Sequence, residues 1–239
     1  MSEWFTRWFG KEYLNLYPHR DDREARSVVR MIRNTVPLRA EGRALDLACG
    51  SGRHTRALCK HTWTVGLDLS MDLLQVAISE SPLIPYVRGD MRALPFATGA
   101  FHLVVNLFTS FGYFSSDDQN RLVLNEVNRV LVPEGVLVLD YLNADQVRAR
   151  LIAQDTCRVG NRVVTQRRRI TADGRYVEKE ISATGFERSF VERVRLFEPD
   201  DIRCLLHDAG LVVDSELGDY AAGPLAPDSP RAIFFAHRS

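Results

Sequence analysis

Residues 45–52 read Leu-Asp-Leu-Ala-Cys-Gly-Ser-Gly, and this stretch decides the fold class of the chain. An apolar run ends at Gly50 and Gly52, which one small residue separates, and a helical pattern follows over residues 53–60. Glycine lets the backbone turn tightly from a strand into a helix and, because it has no Cβ atom, lets a ligand approach the main chain closely. The stretch therefore predicts a nucleotide or nucleoside site at the end of a strand in an α/β sheet.

Three ligand classes compete for this loop. A dinucleotide fingerprint requires a third glycine where this chain has Thr55. A phosphate-binding P-loop ends in glycine, lysine and serine or threonine, where this chain has Arg53 and His54 after the glycine. S-adenosylmethionine (SAM) carries no phosphate and has less need of an anion cradle, so the loop favours this third ligand.

The segments after the loop carry acidic residues at the ends of predicted strands, and their order helps to identify the ligand. A strand predicted over residues 62–69 includes Asp68 near its carboxyl end, where a carboxylate can accept hydrogen bonds from two ribose hydroxyls. Asp90 follows the next predicted strand, and residues 100–108 and 131–140 read as two more strands. Together with the loop, these segments resemble the motifs of class I SAM-dependent methyltransferases.

The resemblance spans residues 44–140 and implies the fold of that family. Alternating strands and helices from residue 43 to residue 141 independently predict a parallel, doubly wound α/β sheet. The family has a seven-stranded, mostly parallel sheet with a C-terminal antiparallel edge hairpin. Residues 211–213 and 232–236 are the predicted strands of that hairpin, with residues 232–236 as the edge strand.

Residues 1–36 are predicted to form a helical lid over the site. Trp4, Phe5, Trp8 and Phe9 have the spacing of one helix face. A second helix is predicted to start after the Asp21-Asp22 pair and to run to about Thr35.

Residues 156–196 interrupt the alternation of strands and helices. Runs at 162–171, 176–182 and 186–196 read as antiparallel strands, with a tight turn at Asp173-Gly174. We expect this segment to be an antiparallel β flap inserted into a single domain over residues 1–239.

The resemblance also implies which residues contact SAM. In the family, a carboxylate beside the loop lies near the ligand's ammonium group, an aspartate after the third strand meets the adenine amino group, and an N-terminal tyrosine or arginine reaches the methionine carboxylate. The implied cofactor-binding residues are Asp46, Ala48, Cys49, Gly50, Gly52, Asp68, Leu69, Asp90, Met91, Leu107, Phe108, Tyr13, Tyr17 and Arg20. For Asp46 an alternative stays open. Because apolar residues flank it, it could instead be a buried carboxylate that caps the loop backbone.

Methyl transfer from SAM needs no dedicated nucleophile, because the sulfonium is already an activated donor. Proximity and orientation can supply on the order of 7–11 kcal/mol in favourable cases. The sequence shows no convincing catalytic triad and no metal-ligand cluster. If the acceptor must lose a proton, the candidate bases are His19, His54, Tyr113 and Tyr141.

Composition limits the partners. The chain has 31 basic and 31 acidic residues, so nucleic acid is an unlikely partner. The function that the resemblance implies is transfer of a methyl group from SAM to a small or medium-sized acceptor molecule by direct in-line displacement. Its four cysteines have no C-x-x-C spacing, which predicts reduced thiols. No signal peptide or membrane span is evident, so we expect a cytoplasmic protein. We expect it to be a monomer or a homodimer.

Other functions of the same fold remain as alternatives. They are a tRNA or rRNA methyltransferase, an aminopropyl transferase that uses decarboxylated SAM, and a non-catalytic SAM-binding partner protein. The run Asn106-Leu107-Phe108-Thr109 lacks the two prolines associated with methylation of adenine or of glutamine amides, which argues against those acceptors.

Overall fold

A computed structural model describes residues 3–17 and 22–239. Seven strands form the main sheet, namely β1 (Arg43–Leu47), β2 (Trp63–Asp68), β3 (Tyr86–Arg88), β4 (Phe101–Asn106), β5 (Leu131–Leu142), β10 (Leu211–Leu217) and β11 (Arg231–Arg238). Their order is β10-β11-β5-β4-β1-β2-β3. Strands β5 to β3 in this order are parallel, and β11 runs antiparallel to both of its neighbours. The predicted seven-stranded, mostly parallel sheet is confirmed.

The C-terminal hairpin differs from the prediction in one respect. Strand β11 lies between β5 and β10, so β10 is the edge strand. Ile233, Phe234 and Phe235 are at most 1% exposed, whereas Val212 on β10 is 44% exposed. A continuous apolar run is typical of a strand that is covered on both faces, which is why β11 takes the interior position.

Helices cover both faces of this sheet. They are α3 (Asp22–Thr35), α4 (Arg53–Leu58), α5 (Met71–Glu80), α6 (Asp117–Val130), α7 (Ala144–Arg150) and α8 (Pro199–Asp208). Val105 of β4 packs in one apolar cluster with α3 and α4, while its neighbour Val104 packs in another with α6 and α8. Successive strand residues point to opposite faces, so β4 is buried on both sides.

The flap is a separate four-stranded antiparallel sheet. Its strands are β6 (Gln154–Val159), β7 (Arg162–Ile170), β8 (Tyr176–Ala183) and β9 (Phe190–Arg195), in that order. The predicted turn joins β7 to β8, and Gly174 in it has a φ of 70°. Strand β6 was not predicted and starts before residue 156; five of its six residues are exposed, so it lacks the apolar alternation by which a half-buried strand is recognised.

Two short helices, α1 (Trp4–Trp8) and α2 (Lys11–Leu16), lie against the inner face of the flap. Trp8 is 1% exposed, and its ring centroid is 4.6 Å from that of Phe190 on β9. Tyr13 and Leu16 pack in the same cluster, together with Leu73 of α5. The N-terminal segment is thus held between the flap and the main sheet.

No helix in the described ranges is both long enough and apolar enough to span a membrane.

Candidate functional site

The carboxyl ends of β1, β2, β3 and β4 border a cavity of about 820 Å³. The loops that follow these strands contribute Ala48, Cys49, Gly50, Asp68, Leu69, Asp90, Met91, Leu107 and Phe108 to its wall. The N-terminal segment contributes Phe5, Phe9, Tyr13 and Tyr17, and the flap contributes Lys179, Glu192 and Val194. Ligands of parallel α/β sheets bind at this end of the strands.

The two glycines of the loop after β1 serve different purposes. Gly50 has a φ of 56°, and a Cβ atom placed on it would meet only the Cδ1 atom of Leu73, at 3.9 Å. Gly52 has a φ of 79°, but a Cβ atom there would lie 2.5 Å from the Tyr86 hydroxyl. Gly50 therefore leaves space in the cavity wall, whereas Gly52 is required by packing against Tyr86 and does not line the cavity.

Asp68 joins the loops after β1 and β2. Its carboxylate accepts hydrogen bonds of 2.8 Å from the Gly50 amide and 2.8 Å from the Ser70 amide. Burial raises the pKa of Asp68, and these backbone hydrogen bonds oppose the rise. Each carboxylate oxygen retains capacity for a second hydrogen bond on the cavity side.

Asp90 is tied to an arginine in its own loop. Arg92 donates to both carboxylate oxygens of Asp90 and also pairs with Glu3, which precedes α1. Burial raises the pKa of Asp90, but the hydrogen bonds from Arg92 outweigh it, so the net pKa is below the ordinary value. The loop after β3 is thereby linked to the N-terminal segment.

Asp46 does not line the cavity. It is 1% exposed beneath the loop and accepts a hydrogen bond of 2.6 Å from the Thr55 hydroxyl on α4. Burial, with a smaller contribution from nearby Asp68, raises its pKa to about 6. The structure thus corrects the expectation of a ligand contact and favours the alternative of a buried carboxylate that holds the loop to the helix.

Cys49 lies on the cavity wall, but its thiol is suited to packing within the loop rather than to nucleophilic attack. Burial, aided by the charges of Asp46 and Asp68, raises the pKa of this thiol well above its ordinary value. A thiol that stays protonated is a poor nucleophile.

The candidate bases divide into three groups. His54, which is 5% exposed at the start of α4, and Tyr113 both line the cavity. Tyr141 does not: it is fully buried, donates its hydroxyl hydrogen to the Arg195 carbonyl, and has a pKa raised by burial. Tyr141 is therefore excluded as the base, and His19, like the cofactor candidate Arg20, lies outside the described residues.

The charged residues on the cavity wall that sequence reasoning missed include Lys179, Glu192 and Arg231. Lys179 and Glu192 occupy paired positions on β8 and β9, on the flap face that otherwise carries Ile181 and Phe190. Charged residues at positions on an otherwise apolar strand face could have indicated that this face lines a cavity. The described residues contain no group of three or more histidine, cysteine or acidic side chains that could hold a metal ion.

Several known proteins are similar to this chain in sequence. Residues 44–135 match the family described as a methyltransferase domain. A dTDP-3-amino-3,6-dideoxy-alpha-D-glucopyranose N,N-dimethyltransferase from Streptomyces fradiae is 28% identical over 202 residues, which cover 80% of this chain and 78% of that protein. The chain therefore contains a SAM-dependent methyltransferase domain. A dTDP-4-amino-2,3,4,6-tetradeoxy-D-glucose N,N-dimethyltransferase from Saccharopolyspora spinosa is likewise 28% identical, over 79% of the methyltransferase and 78% of that protein.

Solved structures show the same fold. A SAM-dependent methyltransferase from Clostridium acetobutylicum superposes with a TM-score of 0.79 at 19% identity, covering 95% of this methyltransferase and 96% of that chain. The sugar N-methyltransferase KedS8 from a Streptoalloteichus species has a TM-score of 0.73 at 25% identity, covering 96% and 93%.

The wall of the cavity fits SAM, the methyl donor of this family. Gly50 leaves open space beside the main chain, and Asp68 presents carboxylate oxygens that can accept further hydrogen bonds. Leu69 and Met91 supply apolar surface next to these polar groups. When bound, SAM supplies a methyl group that is already activated on a sulfonium.

Proposed function

We propose that this enzyme methylates an amino group of a small sugar acceptor, with a dTDP-linked amino sugar as the first candidate. The observation that carries the proposal is the roofed cavity, in which the N-terminal helices and the flap cover the strand ends. The relatives from Streptomyces fradiae and Saccharopolyspora spinosa, which align over most of the chain, are named as N,N-dimethyltransferases of dTDP-linked amino sugars. A cavity of about 820 Å³ lies within the usual range of roughly 300–1,000 Å³ for small-molecule sites.

In this proposal, the strand-end loops hold the methyl donor. The main chain from Ala48 to Gly50 lies beside it, and Asp68 accepts from its ribose hydroxyls. Asp90 and Met91 contact its adenine, while Leu107 and the main chain of Phe108 form the floor. The geometry supports these roles because all of these residues share one cavity wall.

The roof supplies the methionine end and the acceptor side. Tyr13 and Tyr17 line the cavity from the N-terminal segment and are the proposed contacts to the methionine carboxylate. Tyr113 lies between the cavity and α1, with its ring centroid 4.9 Å from that of Trp4. A roof of aromatic side chains excludes water and holds the reactants in line, which is the main requirement of this reaction.

A protonated amine must lose its proton before its lone pair can attack. Among the described residues, His54 and Tyr113 are the proposed proton acceptors, because both are ionisable side chains on the cavity wall. His54 is the preferred candidate, because imidazole is the side chain most often used as a general base.

We also propose that the enzyme has no nucleic-acid partner, that it is a monomer or a homodimer, and that it is cytoplasmic. Net charge supports the first point, because equal numbers of acidic and basic residues create no strong attraction for a polyanion. On the flap, Arg169 pairs with Glu178 at 2.6 Å and Arg168 pairs with Asp155 at 3.1 Å. The arginine run at 167–169 is thus largely paired within the flap.

The test is acceptor profiling with the full chain. The protein is incubated with SAM and, separately, with a dTDP-amino hexose, the matching dTDP-hexose without the amino group, a free amino sugar and total tRNA. S-adenosylhomocysteine release and the mass of each acceptor are measured. We expect one or two added methyl groups on the dTDP-amino hexose and none on its hydroxyl counterpart.

Other outcomes would redirect the assignment. Methylation of tRNA alone would contradict the small-molecule proposal. Polyamine formation with decarboxylated SAM would indicate aminopropyl transfer. Tight binding of S-adenosylhomocysteine without turnover of any acceptor in a fractionated extract would favour a non-catalytic partner protein.

A further inference from the structure

The turn that follows β4 has an unusual backbone. Phe108 and Thr109 are consecutive, neither is glycine, and both have a φ of 62°. Left-handed backbone brings Cβ close to the following carbonyl oxygen, and it is least suited to β-branched or bulky side chains. Such a turn persists only where its surroundings hold it, and turns of this kind cluster at functional sites.

One buried residue of the neighbouring strand holds both strained amides. The Phe108 N–H donates a hydrogen bond of 2.8 Å to the Asp140 carboxylate, and the Thr109 N–H donates one of 3.0 Å to the Asp140 carbonyl. Asp140 lies on β5 and is 0% exposed. A buried carboxylate requires several donors, and the turn supplies one of them.

The C-terminal segment supplies the remaining donors. Arg231 Nε donates to Asp140 Oδ1 at 2.7 Å, and the Tyr220 hydroxyl donates to Asp140 Oδ2 at 2.8 Å. Burial and the charge of Asp140 raise the pKa of Tyr220, so this side chain stays a neutral donor. Both oxygens of the Asp140 carboxylate therefore accept hydrogen bonds from groups of the protein itself.

Arg231 also reaches the turn directly. Its Nη2 atom donates to the Thr109 hydroxyl at 2.8 Å, so the arginine links Thr109 to Asp140. Burial lowers the pKa of Arg231, but the charge of Asp140, the neighbouring Tyr220 and the hydrogen bond to Asp140 together outweigh it, so the guanidinium stays ionised. Thr109 is thus held through its amide by Asp140 and through its hydroxyl by Arg231.

The consequence of this bracing is the placement of the Phe108 ring. The ring belongs to the cavity wall and lies next to two guanidinium groups, with the Arg53 Cζ atom 4.5 Å and the Arg231 Cζ atom 5.9 Å from its centroid. Arg53 is itself fixed by Glu24 of α3 at 2.6 Å. Cations near an aromatic face are attracted to it, which further restricts the ring.

We propose that Asp140 and Arg231 are positioning residues that hold the Phe108–Thr109 turn, so that the Phe108 ring forms a fixed wall orienting the acceptor toward the methyl donor. The turnover part rests on the proposed function, whereas the bracing rests on the hydrogen bonds alone. Neither residue needs to touch the reacting atoms, because a misplacement of about 1 Å can cost about 100-fold in rate.

Substitution of Thr109 gives the cleanest test. Thr109→Val keeps the β-branched shape and removes the hydroxyl that Arg231 binds, whereas Thr109→Ser keeps the hydroxyl. We expect Thr109→Val to lower kcat by about 10- to 100-fold, with Thr109→Ser recovering most of the loss. The affinity for S-adenosylhomocysteine, measured by calorimetry, should stay within about twofold of the wild type in both variants, since the hydroxyl braces the turn and is not a proposed donor contact.

Asp140→Asn tests the centre of the brace. Glu216→Gln is its matched control, because Glu216 of β10 also accepts from an arginine, Arg203 at 2.6 Å, but does not line the cavity. The amides of Phe108 and Thr109 should exchange hydrogen slowly in the wild type and in Glu216→Gln, and faster in Asp140→Asn and Thr109→Val. This exchange measurement needs no acceptor.

The outcomes separate the two proposals. If the wild type methylates no acceptor, the proposed function fails, and the exchange data alone decide whether the turn is braced. Unchanged exchange in folded Thr109→Val and Asp140→Asn would overturn the bracing. Equal kcat losses in Thr109→Val and Thr109→Ser, or a parallel loss of S-adenosylhomocysteine affinity and kcat, would overturn the positioning role.

Discussion

The indole N–H of Trp8 on α1 donates a hydrogen bond of 2.7 Å to Glu192 on β9, although the two residues are 184 positions apart in the sequence. The second oxygen of Glu192 is 2.5 Å from the Lys179 ammonium on β8, and that ammonium is 3.4 Å from the Tyr17 hydroxyl. One carboxylate therefore connects the N-terminal segment and the flap in the roof of the cavity.

Trp8→Phe tests this connection, because it keeps an aromatic ring against Phe190 and removes the donor to Glu192. We expect a loss of about 1.5–3 kcal/mol in the free energy of unfolding, as for a hydrogen bond to a charged group. The N-terminal helices should also be cleaved faster in limited proteolysis, with protection by S-adenosylhomocysteine reduced. Urea unfolding and a proteolysis time course measure the two effects.

Trp63→Phe is the matched control for that variant, because Trp63 on β2 is 50% exposed. It should leave both measurements near the wild-type values. If Trp8→Phe behaves like Trp63→Phe, the hydrogen bond does not hold the roof. Equal proteolysis of the wild type with and without S-adenosylhomocysteine would contradict a lid that closes over ligand.

Asp68→Asn should weaken S-adenosylhomocysteine binding by about 1.5–3 kcal/mol, or roughly 10- to 100-fold in Kd. The amide has one acceptor oxygen, so it cannot accept from both the Gly50 and Ser70 amides and also serve a ribose hydroxyl. Calorimetry measures the affinity, and Asp118→Asn on the outer surface of α6 is the control. Unchanged affinity in a folded Asp68→Asn protein would remove Asp68 from the proposed site.

Gly50→Ala should mainly lower ligand affinity, whereas Gly52→Ala should mainly lower the stability of the fold. At Gly50 the added Cβ meets open space, so the protein should fold with only the strain of a positive φ, about 1–2 kcal/mol, while ligand affinity falls. At Gly52 the Cβ atom would lie 2.5 Å from the Tyr86 hydroxyl, so stability should fall further. Thermal unfolding and calorimetry together separate these effects.

The double variant Gly52→Ala with Tyr86→Phe sharpens that comparison. Removing the hydroxyl relieves the closest clash, so the pair should be more stable than Gly52→Ala alone. No recovery would show that the Tyr86 hydroxyl is not the main source of the cost of Gly52→Ala.

Asp46→Asn should change how stability depends on pH. The folded-state pKa of Asp46 is raised to about 6 from 3.8, so the folded protein keeps a proton that the unfolded chain has already released. The wild type therefore loses stability from this group as the pH rises through roughly 4 to 6, by on the order of 3 kcal/mol in total. The asparagine stays neutral and can still accept from the Thr55 hydroxyl.

The measurement is urea unfolding of both proteins between pH 4 and pH 8. The stability of Asp46→Asn relative to the wild type should increase across the lower half of this range and then level off. A constant difference at all pH values would show that Asp46 does not titrate as its burial implies.

The main sheet and its ligand-binding edge were predictable because their signals are local. Apolar runs mark the strands, and the carboxyl ends of parallel strands meet at one edge, so Asp68 and Asp90 could both be expected at one ligand site. Strand β6 was missed because a polar, exposed strand has no such pattern. The interior position of β11 was readable from its unbroken apolar run, but the edge position was predicted from the family hairpin instead.

The sequence by itself determined the doubly wound sheet, the glycine loop and the class of ligand, because these depend on the order of residues within short segments. Only the tertiary structure decided which polar side chains line the cavity. Asp46 and Asp68 both belong to apolar strands, yet one is buried beneath the loop and the other reaches the cavity. Glu192 meets Trp8, and Arg231 meets Thr109, across more than a hundred residues. Such contacts are set by how separate elements pack, because burial makes each polar group seek a partner wherever the fold brings one.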